Sequence, residues 1–186
     1  MKELFKKYNA LLTGHFLLSS GLHSDTYFQS ALILQHPQVA SALAENLKNE
    51  ISQKVKDIDL IVSPAMGGIV IGQEMGRAFG KRAIFCERVD GKLVLRRGFN
   101  IGKGEKVLVV EDVITTGLST KEVIEAITPL GANVVAVCSL VDRSAGKVDF
   151  GVPRFSLLSL EVKSYKQEEC PLCKDGSSPI KPGSRK

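Results

Sequence analysis

The chain contains no tryptophan and only 6% aromatic residues, and none of its apolar runs approaches the ~20 residues that span a bilayer. Its opening, MKELFKKYNALL, has amphipathic spacing and lacks the apolar stretch of a signal peptide. A cytoplasmic location with no membrane partner is therefore expected. G-x-x-x-x-G-K-[ST] is absent and no G-x-G-x-x-G follows a strand, which removes the usual nucleoside-triphosphate and dinucleotide loops. Zinc-finger spacing, an RNA-recognition signature and a helix-turn-helix pattern are also missing, so no nucleic acid partner is expected. Charge of one sign barely predominates: 25 Lys+Arg stand against 20 Asp+Glu, and part of the excess is the tail at Lys181, Arg185 and Lys186. An anionic partner is modestly favoured.

Cysteine is scarce as well, with four in the chain. Cys86 and Cys138 lie inside strand-like runs and read as core thiols of a reducing compartment. Cys170 and Cys173 form a lone C-x-x-C outside any βαβ redox context. A structural zinc there would need further ligands from another chain or a distant residue, and no metal ligand is assigned from the pattern.

What the sequence does contain is alternation. At 186 residues and 44% hydrophobic content it can bury one core, and a single domain is the default. Strand-like segments at 59–64, 82–87, 106–111, 133–141 and 154–161 interleave with helical ones at 68–79 and 118–130. That order predicts an α/β fold, a Rossmann-like parallel sheet with flanking helices. Upstream, Leu4, Phe5, Tyr8, Leu11 and Leu12 have the spacing of a short helix. A second helix begins near Pro37 and carries the stripe Val39, Leu43, Leu47, Ile51 and Val55. Beyond residue 165, Pro, Gly, Ser and Lys become frequent, and the last ten or so residues are expected to be poorly ordered.

The densest chemistry lies in VLVVEDVITTGLST, residues 107–120. Val107 to Val110 read as a buried parallel strand, and Glu111 and Asp112 fall at its carboxyl end, where open α/β sheets bind ligands. Val113, Ile114, Thr115, Thr116, Gly117, Leu118 and Ser119 follow, offering hydroxyls and backbone N–H groups at a helix N-terminus, which attracts phosphate. Two carboxylates beside a phosphate cradle make sense when they face sugar hydroxyls, so a pentose 5-phosphate suits both halves. The bland alternative is an acidic strand end entering an ordinary loop.

These residues resemble the signature of the type I phosphoribosyltransferases, nearest to those that act on orotate. The resemblance spans residues 10–165 and includes LLSSGLHSDTYFQS (17–30), IVSPAMGGIVIG (61–72) and LVDRSAG (140–146). It implies that fold, with a small N-terminal hood over residues 1–35, one transferase domain over 1–165, and a partly disordered tail over 166–186. The implied reaction joins orotate to phosphoribosyl pyrophosphate with magnesium (Mg2+) as cofactor, giving orotidine 5'-monophosphate and pyrophosphate on the route to UMP, and the implied assembly is a homodimer. Glu111 and Asp112 would hold the ribose, residues 113–119 the 5'-phosphate, and Ala65, Met66, Gly67 and Gly68 the pyrophosphate. Thr115, Arg143, Tyr27 and Phe28 would meet orotate, though an ion pair of Arg143 with Asp142 or Asp149 and strand packing of the two aromatics are the plain alternatives.

The stretch ERVDGKLVLRRGFNIGKGEK, 87–106, is basic and glycine-rich and reads as a mobile lid, as a hairpin around Asp90-Gly91, or as both. By resemblance Arg88 and Lys92 would act in catalysis from it. Val89 and Val94 stand where the family's lysine and histidine fall, Arg96 or Arg97 could substitute, and Ser19 stands where a basic residue is common. Two other readings remain: a phosphoribosyltransferase for a purine base, and a regulator that senses phosphoribosyl pyrophosphate without turnover.

Overall fold

The computed structural model describes residues 1–18 and 20–182. Contacts divide the chain into two units: Leu34–Leu160, and Met1–Ile33 together with the chain from Glu161 onward.

The larger unit begins with α2 (Ser30–Leu34) only at its edge, then α3 (Pro37–Ser52), whose first turn is set by Pro37 and whose face of Ala40, Leu43, Ala44, Leu47 and Ile51 is buried. Six strands follow: β3 (Leu60–Pro64), β4 (Arg82–Val89), β5 (Lys92–Leu95), β6 (Lys106–Ile114), β7 (Asn133–Asp142) and β8 (Arg154–Ser159). They lie in the order β5-β4-β3-β6-β7-β8, all parallel except β5, which turns back on β4 through Asp90 and Gly91. Valine, leucine and isoleucine fill the central strands because both faces are covered. Leu60, Val62, Val107, Val109 and Val137 share a core with Val123 and Ile127 of α5 (Leu118–Ile127). Helix α4 (Gly67–Phe79) connects β3 to β4.

The chain builds β3, steps outward to β4 and β5, and then returns to the other side of β3 with β6. The strand order therefore reverses between β3 and β6. At such a switch point the two βα turns diverge and leave a crevice at the carboxyl edge.

Three boundaries differ from the sequence expectation by three residues or more. Helix α5 stops at Ile127 and tightens into a 3-10 turn, Thr128–Leu130, because Pro129 has no N–H to continue an α-helix. Strand β6 runs through both acids to Ile114, since β7 pairs with it as far as Asp142. At the N-terminus, α1 (Lys2–Lys7) ends before Leu11 and Leu12, which instead open β1 (Leu11–Leu17). Asn9 adopts φ 53°, and the bonds Ala10 N–H to Phe5 O and Asn9 N–H to Lys6 O close that helix as a Schellman cap.

In the smaller unit β1 pairs antiparallel with β2 (His23–Phe28). The C-terminal segment is not a ragged tail as far as it is described. Tyr165 exchanges both backbone bonds with His23, Ile180 bonds to His15 and Leu17, and a short α6 (Pro171–Lys174) lies between. The hairpin's unpaired backbone groups supply what this segment needs. Gly183 to Lys186, which include the basic Arg185 and Lys186, fall outside the described residues, as does Ser19.

Candidate active site

Parallel register places the ends of β3, β6 and β7 on one edge of the sheet, and the expected residues of the larger unit gather there. Asp112 is half-buried, and a Cβ on Gly67 would stand 2.8 Å from either of its carboxylate oxygens. A side chain at 67 would displace the Asp112 carboxylate, so the β3–α4 turn is built against the acid of the neighbouring strand. Glycine at 68 is also tightly placed, with Pro64 Cδ 3.1 Å and Val110 O 3.2 Å from its notional Cβ. The Ala65–Met66 peptide is cis, and the Met66 side chain is 84% exposed. Helix α4 begins without a side-chain cap, which leaves its first N–H groups to other partners.

The β6–α5 turn repeats this logic. Gly117 sits at φ 75°, and a Cβ there would lie 2.5 Å from Val148 Cγ1. Helix α5 also has no side-chain cap; Thr116 Oγ1 accepts a long bond of 3.4 Å from Leu118 N–H. Thr115 and Thr116 are exposed and Ser119 is half-buried, so hydroxyls and helix-start amides ring an anion-sized turn. Within residues 113–119, Ile114 faces inward. Its side chain is core, 1% exposed, and its carbonyl accepts the Arg143 N–H at 2.8 Å. Val113 is half-buried in the strand, and Leu118 points an apolar side chain outward.

Glu111 also departs from an open acidic rim. Strand alternation turns it into the protein, 7% exposed, while its carboxyl remains hydrogen-bonded beside Asp112. Burial first, then the neighbouring Asp112 charge and that shared hydrogen bond, raise its pKa well above the carboxylate range; the Asp112 N–H, donating to Oε1 at 3.2 Å, opposes them. The two side chains thus sit as one hydrogen-bonded pair.

Ile114 pairs with Asp142, which brings Arg143 level with Thr115. Arg143 is 8% exposed. Asp142 organises the loop after β7 by accepting from Ser144 N–H and Oγ and from Gly146 N–H, and it pairs with Arg154 at 3.4 Å. Asp149 accepts from Gly151 N–H.

The stretch 87–106 is largely hairpin. Leu93 of β5 is buried in the core, so β5 is an edge strand of the sheet. Arg88 binds Glu122 of α5 and the Gly91 carbonyl, and Glu122 raises its pKa. Arg97 and Arg96 pair with Glu87 at 2.7 and 3.8 Å. Lys92 is exposed at the turn. The remaining orotate candidates belong to the smaller unit: Phe28 is 6% exposed, its ring edge-on to Phe5 at 6.0 Å, which is the packing role, and half-buried Tyr27 lies 5.7 Å from Phe16.

The family model for the phosphoribosyl transferase domain matches residues 29–168. The chain belongs to this family. A curated orotate phosphoribosyltransferase of Caldanaerobacter subterraneus is 53% identical to this phosphoribosyltransferase, with 99% of the chain and 96% of that protein aligned. One from Chlorobium phaeobacteroides is 52% identical over 100% of the chain and 95% of its own length. Among solved structures, the orotate phosphoribosyltransferase of Aeropyrum pernix superposes with a TM-score of 0.69 at 27% identity, covering 84% of this chain and 92% of that one. Among the described residues no helix is long and apolar enough to cross a membrane.

What sequence reasoning missed is Glu122, the partner of Arg88, and a group in the smaller unit: His15, His23, Cys170 and Cys173 converge. The C-x-x-C hinted at the second, but nothing in the spacing of the histidines linked them to it.

Proposed function

We propose that this phosphoribosyltransferase moves the ribosyl 5-phosphate group from phosphoribosyl pyrophosphate to N1 of orotate, forming orotidine 5'-monophosphate and pyrophosphate for UMP synthesis. The observation that carries the reading is the meeting, at the sheet's switch point, of a hydrogen-bonded acid pair with two helix starts that lack side-chain caps. A pentose with phosphate groups at both ends suits that arrangement, and relatives named for orotate favour that base over a purine.

In the reaction the C1' bond to pyrophosphate breaks as the bond to orotate N1 forms. The α5 turn, Thr115 to Ser119, grips the 5'-phosphate, and the α4 turn, Ala65 to Gly68, receives the pyrophosphate. Asp112 faces the ribose hydroxyls and offsets the positive charge that develops on the ring, with Glu111, raised in pKa, hydrogen-bonded beside it. Arg143 and Thr115, side by side, recognise the orotate carboxylate and ring edge. Arg88 and Lys92, at the hairpin on the same sheet edge, stabilise the leaving group. Asp112 would also suit Mg2+, a hard cation that needs only one or two carboxylates when substrate oxygens complete its shell. When bound it supplies charge neutralisation to the pyrophosphate. A homodimer in the cytoplasm belongs to the same reading, and light scattering on the purified protein at twice the chain mass would support it.

The deciding experiment mixes the protein with phosphoribosyl pyrophosphate, Mg2+ and either orotate or adenine, and follows the free base. Orotate loss is expected. Adenine loss would select the purine reading, and binding of phosphoribosyl pyrophosphate without loss of either base would select the sensor.

A further inference from the structure

We infer that His15, His23, Cys170 and Cys173 form a closed tetrahedral site for a structural zinc ion. His15 lies on β1, His23 on β2, Cys170 just before α6 and Cys173 within it, so the four come from three separate segments of the smaller unit. Their ligand atoms all fall within 4.8 Å of one another.

The distances decide between a chance meeting and a coordination shell. With Zn–S near 2.3 Å and Zn–N near 2.05 Å, the edges of a tetrahedral N2S2 site are roughly 3.3 to 3.8 Å. Cys173 Sγ lies 3.3 Å from His23 Nδ1 and 3.7 Å from His15 Nε2, and Cys170 Sγ lies 3.5 Å from the same Nε2. The His15 Nε2 to His23 Nδ1 separation, 2.8 Å, is shorter than this range, and a small outward movement of either ring brings it in.

The second shell agrees. His15 Nδ1 is 3.0 Å from the Ser177 carbonyl, an acceptor only, so Nδ1 carries the proton and Nε2 keeps its lone pair toward the cluster. His15, His23 and Cys170 are buried, at 6%, 3% and 0% exposure, and both cysteines are free thiols. All four positions of a tetrahedron are taken by protein, which marks a structural rather than a catalytic ion. Two nitrogens and two sulfurs suit zinc over the harder Mg2+.

The physical need is local. This unit has about sixty residues and a single two-stranded sheet, a small core that a cross-link would stabilise. A zinc ion would cross-link the β1–β2 hairpin to the C-terminal segment.

The test is metal analysis of the full chain, prepared without a histidine tag in zinc-containing medium, followed by cobalt exchange. About one zinc per chain is expected, with cobalt giving the visible bands and sulfur charge-transfer absorption of a tetrahedral thiolate site. Removing zinc with a chelator should lower the Tm by roughly 5–10 °C, reversibly. Cys173→Ser and His23→Gln should each weaken metal retention; if they fail to fold, the cobalt spectrum of the unsubstituted protein still decides. A metal-free protein whose Tm ignores added zinc, or a Cys170–Cys173 disulfide in freshly purified material, overturns the inference. Because the readouts are metal content and stability, that failure would leave the transferase reading untouched.

Discussion

The two units solve the problem of gathering polar groups in opposite ways. At the carboxyl edge of the large sheet, Glu111, Asp112 and the turn to Ser119 are consecutive in the chain, and a strand and a helix present them in order. In the smaller unit the gathered groups are up to 158 positions apart, held by an antiparallel hairpin and a returning C-terminal segment. The first arrangement leaves a reactive edge open to substrate. The second fills its own centre and leaves nothing open. Substitutions in one should therefore alter turnover, and in the other persistence of structure.

The severest challenge to this contrast is Asp112→Asn with Glu111→Gln, expected to reduce kcat/KM about 10^3-fold while the Tm does not fall. If turnover survives and the Tm drops instead, the acids belong to the core and the contrast collapses. Next comes Gly117→Ala, which forces a side chain into φ 75° and against Val148. Strain and overpacking of about 2–4 kcal/mol should lower the Tm by roughly 5–12 °C and raise the KM for phosphoribosyl pyrophosphate. Loss of substrate affinity alone, with an unchanged Tm, would mean that the turn has room the geometry denies. Arg143→Lys should raise the KM for orotate about tenfold, leaving that for phosphoribosyl pyrophosphate nearly unchanged, because lysine loses the planar fork.

The smallest effect concerns pH. Folded Glu111 keeps its proton above the ordinary value of 4.5, whereas the unfolded chain releases it there. Between those points the native state binds more protons, so this group's contribution to stability falls as pH rises from about 4.5 through the raised pKa. Glu111→Gln removes the loss, and its Tm advantage should grow with pH to about 2–4 °C. A constant difference between the two proteins across that range would show that Glu111 ionises normally.

The alternation of apolar strands with amphipathic helices was enough to specify the parallel sheet, and the hairpin was legible in Asp90-Gly91, because these signals act over a few neighbouring residues. The same locality made Thr115 to Ser119 recognisable. Boundaries slipped where a partner intervened: pairing with β7 carried β6 past Glu111, and a Schellman cap at Asn9 diverted Leu11 and Leu12 into a strand. Burial was invisible for the same reason, so Glu111 and Phe28 looked available on paper and lie inside the protein. Local order along the chain determined the kind of sheet and the turn from Thr115 to Ser119. Only tertiary structure decided which side of a strand met solvent, and which histidines met Cys170 and Cys173, because those facts depend on neighbours that the linear sequence keeps far apart.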